Sequence, residues 1–373
     1  MREITSVEIH VLVDELRERI EGGFVRKFYE IGNGAFRFQF YSSASGNTTV
    51  YCKLLFAFNE TRFAEAAEEP TAFAMGIRKH IEGAAVTGIA QHGTDRIIIL
   101  GLSSKSGRRS LIIEMFGKGN MVLVDGNGTI EQCYLAVSFR DRKIAPRAQY
   151  NFPKSTATVA WNSGESEVIG AVREAMGKRK AMAELSKRIN VGPLYLEDVF
   201  NRAGIDPKGE ISSEAEAAAL AREFMAFLRR AEAPRPRTYA TDGVCDYAIM
   251  PIRKYEGMKA VEKGYASLSA LLDDVYAVER VSIADGSRAR KLEALSANIR
   301  KQEELALQLK RDSEGYLSAG HSILEHMSVV NGVISYMKSN RRATLGELKA
   351  AFPNIKITGL DLKEKRVLIS LGE

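Results

Sequence analysis

With 373 residues, 53 Lys and Arg against 47 Asp and Glu, and a formal charge of +6, the chain is mildly basic and too long for one ordinary core, which predicts two or three domains. Its 45% hydrophobic and 27% charged residues exclude global disorder, and no apolar run approaches the roughly 18 residues of a membrane span. MREITSVEIHVLVDELRERIEGG lacks the features of a secretory leader, and Cys52, Cys133 and Cys245 are too scattered for a disulfide framework or CxxC metal spacing, so the expectation is a soluble, cytoplasmic, multidomain protein with no metal and no cofactor.

Thr5 and Glu8 have capping-box spacing ahead of Ile9, Leu12, Leu16 and Ile20 at helical period, and Gly22-Gly23 end that first helix. Strand signals follow in FVRKFYEI, GAFRFQFYSS and TTVYCKLLFAF, parted by turns at Gly32-Asn33-Gly34 and Ser45-Gly46-Asn47. Pro70-Thr71 opens a second helix, TAFAMGIRKHIEG, whose last-turn Arg78, Lys79 and His80 suit the helix dipole. A second β run (RIIILGLSS, RSLIIEMFG, NMVLVDGNGTIEQCYLA) carries DGNG as a hairpin turn. Helix, strands, helix, strands predicts an α+β domain over 1–153 rather than alternating βαβ units.

Residues 151–173, with Pro153, Ser155 and Asn162-Ser163-Gly164, read as a linker. A helical domain over 167–233 breaks at Asn190-Val191-Gly192-Pro193, resumes in LYLEDVFNRAG and closes with SSEAEAAALAREFMAFLRRAE. Weak strand character over 239–262 and the helix SLSALLDDVYAVE make a connecting region over 234–282. From Leu292 to Met337 a heptad count puts apolar residues at eleven of fourteen a and d positions. That predicts a coiled-coil arm over 283–339, with a kink or weak seam at Ser313 and Gly320. The helix TLGELKAAF, closed by Pro353, and a strand pair in ITGLDLKEKRVLISL form a small tip over 340–373.

Several stretches, in this order, resemble the NFACT family of ribosome quality-control factors, known as RqcH in bacteria and NEMF in animals. They are TSVEIHVLVDELRERIEGGFVRKFYE, AMGIRKHIEG, TDRIII, IIEMFGKGNMVLVD, SFRDRKIAPRAQYNFP, INVGPLYLEDVFNRAGID and SLSALLDDVY. The form EMFGKGN looks more like archaeal and eukaryotic members than bacterial ones. The resemblance implies a first domain like the formamidopyrimidine-type DNA glycosylases, a helix-hairpin-helix region and the first arm of a coiled coil. In the family a returning arm follows about where this sequence stops, so either the N-terminal part of a longer protein or a naturally short member is expected. The implied function is binding the large ribosomal subunit (rRNA) and tRNA on stalled nascent-chain complexes, supporting untemplated C-terminal tailing. The ribosome makes those peptide bonds, so the chain is not expected to be an enzyme. The glycosylases use an N-terminal proline-glutamate pair and a four-cysteine zinc finger; here Arg2 stands at the proline position and three cysteines cannot supply the finger.

The resemblance assigns Asp95-Arg96, at the start of a strand, to tRNA engagement; the residues alone read more readily as a local salt bridge. A guanidinium contacts phosphate bidentately and a neighbouring carboxylate orients it. Glu114 and Met115 match a position that reads tRNA bases, the carboxylate accepting a base amino group and the thioether packing on a base; the alternative is a strand-end Glu beside a core Met. Lys118, in the Gly117–Asn120 turn, and the cluster Arg140, Arg142, Lys143 and Arg147 supply cations for RNA phosphates. Lys105, Arg108, Arg109 and Lys178, Arg179, Lys180 form similar groups. Gly192 stands where a helix-hairpin-helix holds a phosphate, although Pro193 removes a donor and a packing role explains it equally. Self-association through the arm is a further expectation. The alternatives are a glycosylase-descended DNA-binding or repair protein and a fibronectin-binding adhesin, the second requiring an export signal or wall anchor.

Overall fold

The computed structural model describes residues 2–370 apart from 33, 63–69, 242–243, 257–260 and 363. Asn33 of the first expected turn, the side chains of Cys245 and Leu292, and residues 371–373 lie outside this description. The chain divides into two compact units, Met1–Ala284 and Asp285–Glu373.

In the first unit, α1 (Ser6–Ile20) starts at the expected capping box: the Thr5 side chain accepts from the Glu8 N–H and the Glu8 carboxylate from the Thr5 N–H. Four strands follow, β1 (Phe24–Gly32), β2 (Ala35–Ser42), β3 (Gly46–Lys53) and β4 (Ala57–Glu60), then α2 (Ala72–Ile81), capped by Thr71. A second meander comprises β5 (Ala85–Gln91), β6 (Ile97–Ser104), β7 (Gly107–Glu114), β8 (Asn120–Asp125) and β9 (Ile130–Cys133). The two meanders join along β1 and β5 into one antiparallel nine-stranded sheet, ordered β4-β3-β2-β1-β5-β6-β7-β8-β9. The hairpin of β10 (Val137–Ser138) and β11 (Lys143–Ile144) hangs from its far edge.

Helices α3 (Glu165–Ala175), α4 (Ala181–Ser186), α5 (Pro193–Ala203) and α6 (Glu214–Glu232) come next. After them come β12 (Arg237–Thr241), β13 (Val244–Ala248) and β14 (Val261–Gly264), paired as β13-β12-β14. α7 (Leu268–Glu325) begins with its Leu268 and Ser269 N–H groups donated to the Glu15 carboxylate of α1, at 2.7 and 2.9 Å. One hydrophobic core runs from Ile4 to Tyr276. Segment boundaries near 153, 167 and 234 therefore fall inside a single packed unit. The expected linker is seated on it: the Thr158 N–H reaches the Arg188 carbonyl, Val159 is buried, and Trp161 Nε1 donates to Gln91 Oε1 and the Gly93 carbonyl while its ring stacks on His10.

In the second unit, α8 (Met327–Ser339), α9 (Leu345–Ala351) and a hairpin of β15 (Lys356–Asp361) and β16 (Arg366–Ser370) close over Val333, Leu348 and Ile357. The heptad positions Leu295, Ile299, Leu309 and Tyr316 of α7 are more than half exposed. The helix runs unbroken through Ser313 and Gly320, and the break falls instead at His326 (φ −108°, ψ 29°). An isolated Ser or Gly costs propensity without removing a backbone hydrogen bond, so it need not end a helix. Among the described residues no helix is long and apolar enough to cross a membrane.

Gly192 is the N-cap of α5 at φ +97°, and a Cβ there would meet Cγ2 and Cβ of Thr5 at 2.6 and 2.7 Å. The position is where the cap of α5 packs on the cap of α1, and Pro193 removes one of the amides a phosphate would need. The expected phosphate contact at Gly192 gives way to close packing. Gly192→Ala should lower stability by about 3 kcal/mol, from a left-handed backbone and an overfilled contact; urea unfolding measures it, and a loss within experimental error would refute the packing role.

Candidate nucleic-acid interface

The segment between β5 and β6 is held from both sides. Its Thr94 carbonyl accepts from the Ser6 hydroxyl and from Asn190 Nδ2, and Gln91 Nε2 donates to the Asp95 carbonyl at 2.8 Å. On this fixed turn Asp95 and Arg96 take different partners rather than each other. Asp95 Oδ2 lies 3.1 Å from His92 Nδ1, and its Oδ1 accepts from the Ser155 hydroxyl at 3.0 Å. Arg96 donates to Glu3 Oε2 at 2.6 Å and to the Ile4 carbonyl. Both stay partly exposed, at 16% and 27% of the side chain.

Glu114 ends β7, and strand alternation sends it and Met115 to opposite faces of the sheet. Met115 is fully buried in the main core, so the expected base contact there has no accessible thioether in this structure. Glu114 faces the smaller core under β10 and β11. Its Oε1 accepts from Arg142 Nη1 at 2.5 Å and from the Tyr150 hydroxyl at 2.8 Å, and the two charged side chains are 4% and 6% exposed. Burial, with the adjoining Glu114 charge, pushes the Tyr150 hydroxyl up and keeps it a donor. Glu114 and Arg142, expected as separate RNA contacts, are thus partners in one buried pair. The Arg142 guanidinium lies 4.7 Å from the Phe139 ring centroid and 5.7 Å from that of Phe116.

The remaining cations face water. Lys118, Arg140, Lys143 and Arg147 are exposed and join no ion pair among the described residues. Lys178, Arg179 and Lys180 are likewise exposed, whereas Arg109 is held by Glu131.

Three aromatic residues that the sequence reading passed over connect these groups. Tyr150 stands edge-to-face with Phe152 at 5.1 Å, and Phe152 lies flat on His92, centroids 3.9 Å apart and planes within 4°. A line of direct contacts therefore runs Phe139, Arg142, Glu114, Tyr150, Phe152, His92, Asp95, joining two motifs 40 residues and more apart in sequence. The signal available was aromatic interleaving beside a basic run, FRDRKIAPRAQYNF.

At the N-terminus the Arg2 guanidinium is bound to Glu8, Asp246 and the Tyr247 carbonyl. Among the described residues no three His, Cys, Asp or Glu side chains are grouped to hold a metal.

Removing one member of a buried ion pair strands the other. Arg142→Ala should destabilise by about 3–5 kcal/mol, and adding Glu114→Gln should restore part of that loss. Arg140→Ala should change stability by no more than about 0.5 kcal/mol. Denaturant melts of the three proteins decide the point: equal losses for Arg140→Ala and Arg142→Ala would remove the distinction.

A profile described as NFACT N-terminal and middle domains matches residues 5–315. The chain is 26% identical over 359 residues to the archaeal Rqc2 homolog aRqcH of Methanocaldococcus jannaschii, covering 91% of this chain and 52% of that protein. It is 25% identical to the Rqc2 homolog RqcH of Bacillus subtilis, covering 64% of this chain and 42% of the other. It thus spans about half or less of the length of these relatives. Among solved structures, the fibrinogen binding protein from Staphylococcus aureus superposes with a TM-score of 0.61 at 21% identity, over 73% of this chain and 98% of that one. The likeness is one of fold. With the family profile covering most of its length, the chain belongs to the NFACT family.

Proposed function

We propose that this chain acts in ribosome-associated quality control, gripping tRNA and large-subunit rRNA along the strip from Asp95-Arg96 to the 139–143 hairpin. The observation that carries the reading is that strip: two motifs far apart in sequence are joined by one line of side-chain contacts, and the hairpin at its end carries exposed cations that join no ion pair among the described residues. Cations without carboxylate partners are what phosphate neutralisation requires. The relatives include proteins named ribosome quality control complex subunit 2 of Schizosaccharomyces pombe and subunit NEMF of mouse, which supports the same role.

In this reading Asp95 and Arg96 touch tRNA, Lys118, Arg140, Lys143 and Arg147 touch phosphate, and Glu114 and Arg142 hold the surface that presents them. Binding supports C-terminal tailing while the ribosome joins the amino acids, so the chain positions RNA and is not itself an enzyme. A repair activity requires a reactive N-terminal proline; Arg2 occupies that position with its guanidinium engaged. A glycosylase-like origin for the sheet domain, a helix-hairpin-helix within the 167–233 helical region, action in the cytoplasm, and self-association through the exposed seam of α7 belong to the same proposal.

Asp95→Ala with Arg96→Ala should weaken tRNA binding about tenfold or more while leaving the melt within about 1 kcal/mol, since both are partly exposed and their charged or titratable partners His92 and Glu3 reach water. Normal binding by the folded double variant would sink the assignment. Arg140→Glu with Lys143→Glu should lower affinity and flatten the log–log salt dependence by about one to two charges. An unchanged slope would take the hairpin off the binding surface.

A further inference from the structure

The stacked His92 and Phe152 rings have no evident structural reason to stay open. Phe152 is 37% exposed and the His92 side chain 34%. Two rings at a surface gain little from stacking on each other while about a third of each stays in water. This pair is nonetheless held rigidly: Asp95 fixes the imidazole through Nδ1, Tyr150 meets Phe152 edge-to-face, and Tyr150 is itself locked by its hydroxyl on the buried Glu114. The scaffold that orients the rings is the one that orients Arg142 and the exposed hairpin.

From this we infer that His92 and Phe152 form a stacking platform for one unpaired nucleobase. In the line of contacts the platform lies between Asp95, next to Arg96 in the chain, and the hairpin that carries Arg140 and Lys143, so a strand whose phosphates meet those cations would bring a base to the rings. The inference rests on the RNA-binding reading above and adds to it. Arginine and lysine contacts are indifferent to whether the RNA is paired, whereas a platform admits only a base free of a helix. The rings therefore make this surface select single-stranded or looped RNA over duplex. Phe139, 47% exposed at the other end of the strip beside Arg142, offers a second ring for a base further along the strand.

The test uses the full chain and a short unstructured RNA, the duplex of the same RNA, and single-stranded versions carrying one abasic site, moved position by position. The unaltered protein should prefer the single strand, and one abasic position should lower its affinity about tenfold. Phe152→Leu, which keeps apolar bulk, should lose about the same factor on intact RNA, become insensitive to that abasic position, and keep the salt slope of the unaltered protein. The abasic series needs no variant, so a folding defect in Phe152→Leu cannot decide the outcome. Equal affinity for single strand and duplex, or indifference to every abasic position, overturns the platform while leaving phosphate binding standing. Absence of any RNA binding by the unaltered protein overturns the functional reading itself, and the platform with it.

Discussion

Glu8 is fully buried, and an isolated carboxylate placed there would cost on the order of several kcal/mol. It is tolerated because four donors converge on it: the Arg2 fork, the Thr5 amide and the Tyr195 hydroxyl. Three of them come from the segment ahead of α1 and the fourth from α5. Arg2 carries the bond on to Asp246 and the Tyr247 carbonyl, and Tyr195 accepts the Ile249 amide at 3.0 Å. The helix start, the helical region and the small sheet are thereby drawn to one point. Everything near Asp95 inherits its position from there, since Glu3, Ile4 and Ser6 in the same segment hold Arg96 and the Thr94 carbonyl.

The strip from Asp95 to the 139–143 hairpin follows a similar division of labour. Burial separates residues that would look alike on a linear map. Arg142 shares a run with Arg140 and Lys143, yet one guanidinium is enclosed with Glu114 while the other two cations remain in water. A charge that has a buried partner sets shape, and a charge without one stays in water. The same logic makes Met115 a core residue and Glu114 the anchor of the hairpin, one strand position apart.

Much of the architecture was legible because it is local. The Thr5–Glu8 cap, the helix opened by Thr71, the hairpin turns and the stop at Gly204 each depend on residues within a few positions of one another. What escaped was long-range. Nothing in the spacing of Arg2 and Glu8 announces contacts with residues 246 and 247, and nothing within the basic run marks Arg142 as the enclosed member. Composition suggested breaks near 153 and 234, but Val159 and Tyr239 pack into the same core as α1. The kink expected at Ser313 and Gly320 did not appear, since a helix tolerates weak formers where its hydrogen bonds are kept.

Trp161 is the single tryptophan of the chain, and its surroundings make it an optical sensor already in place. Its indole lies on the His10 ring and donates to Gln91, which also holds the Asp95 carbonyl. Two hydrogen bonds thus separate the fluorophore from the turn that presents Asp95. Burial lowers the pKa of His10, so the imidazole beneath the indole is neutral near neutral pH. Any change in how the 151–164 segment seats on the sheet therefore alters the immediate surroundings of this one indole.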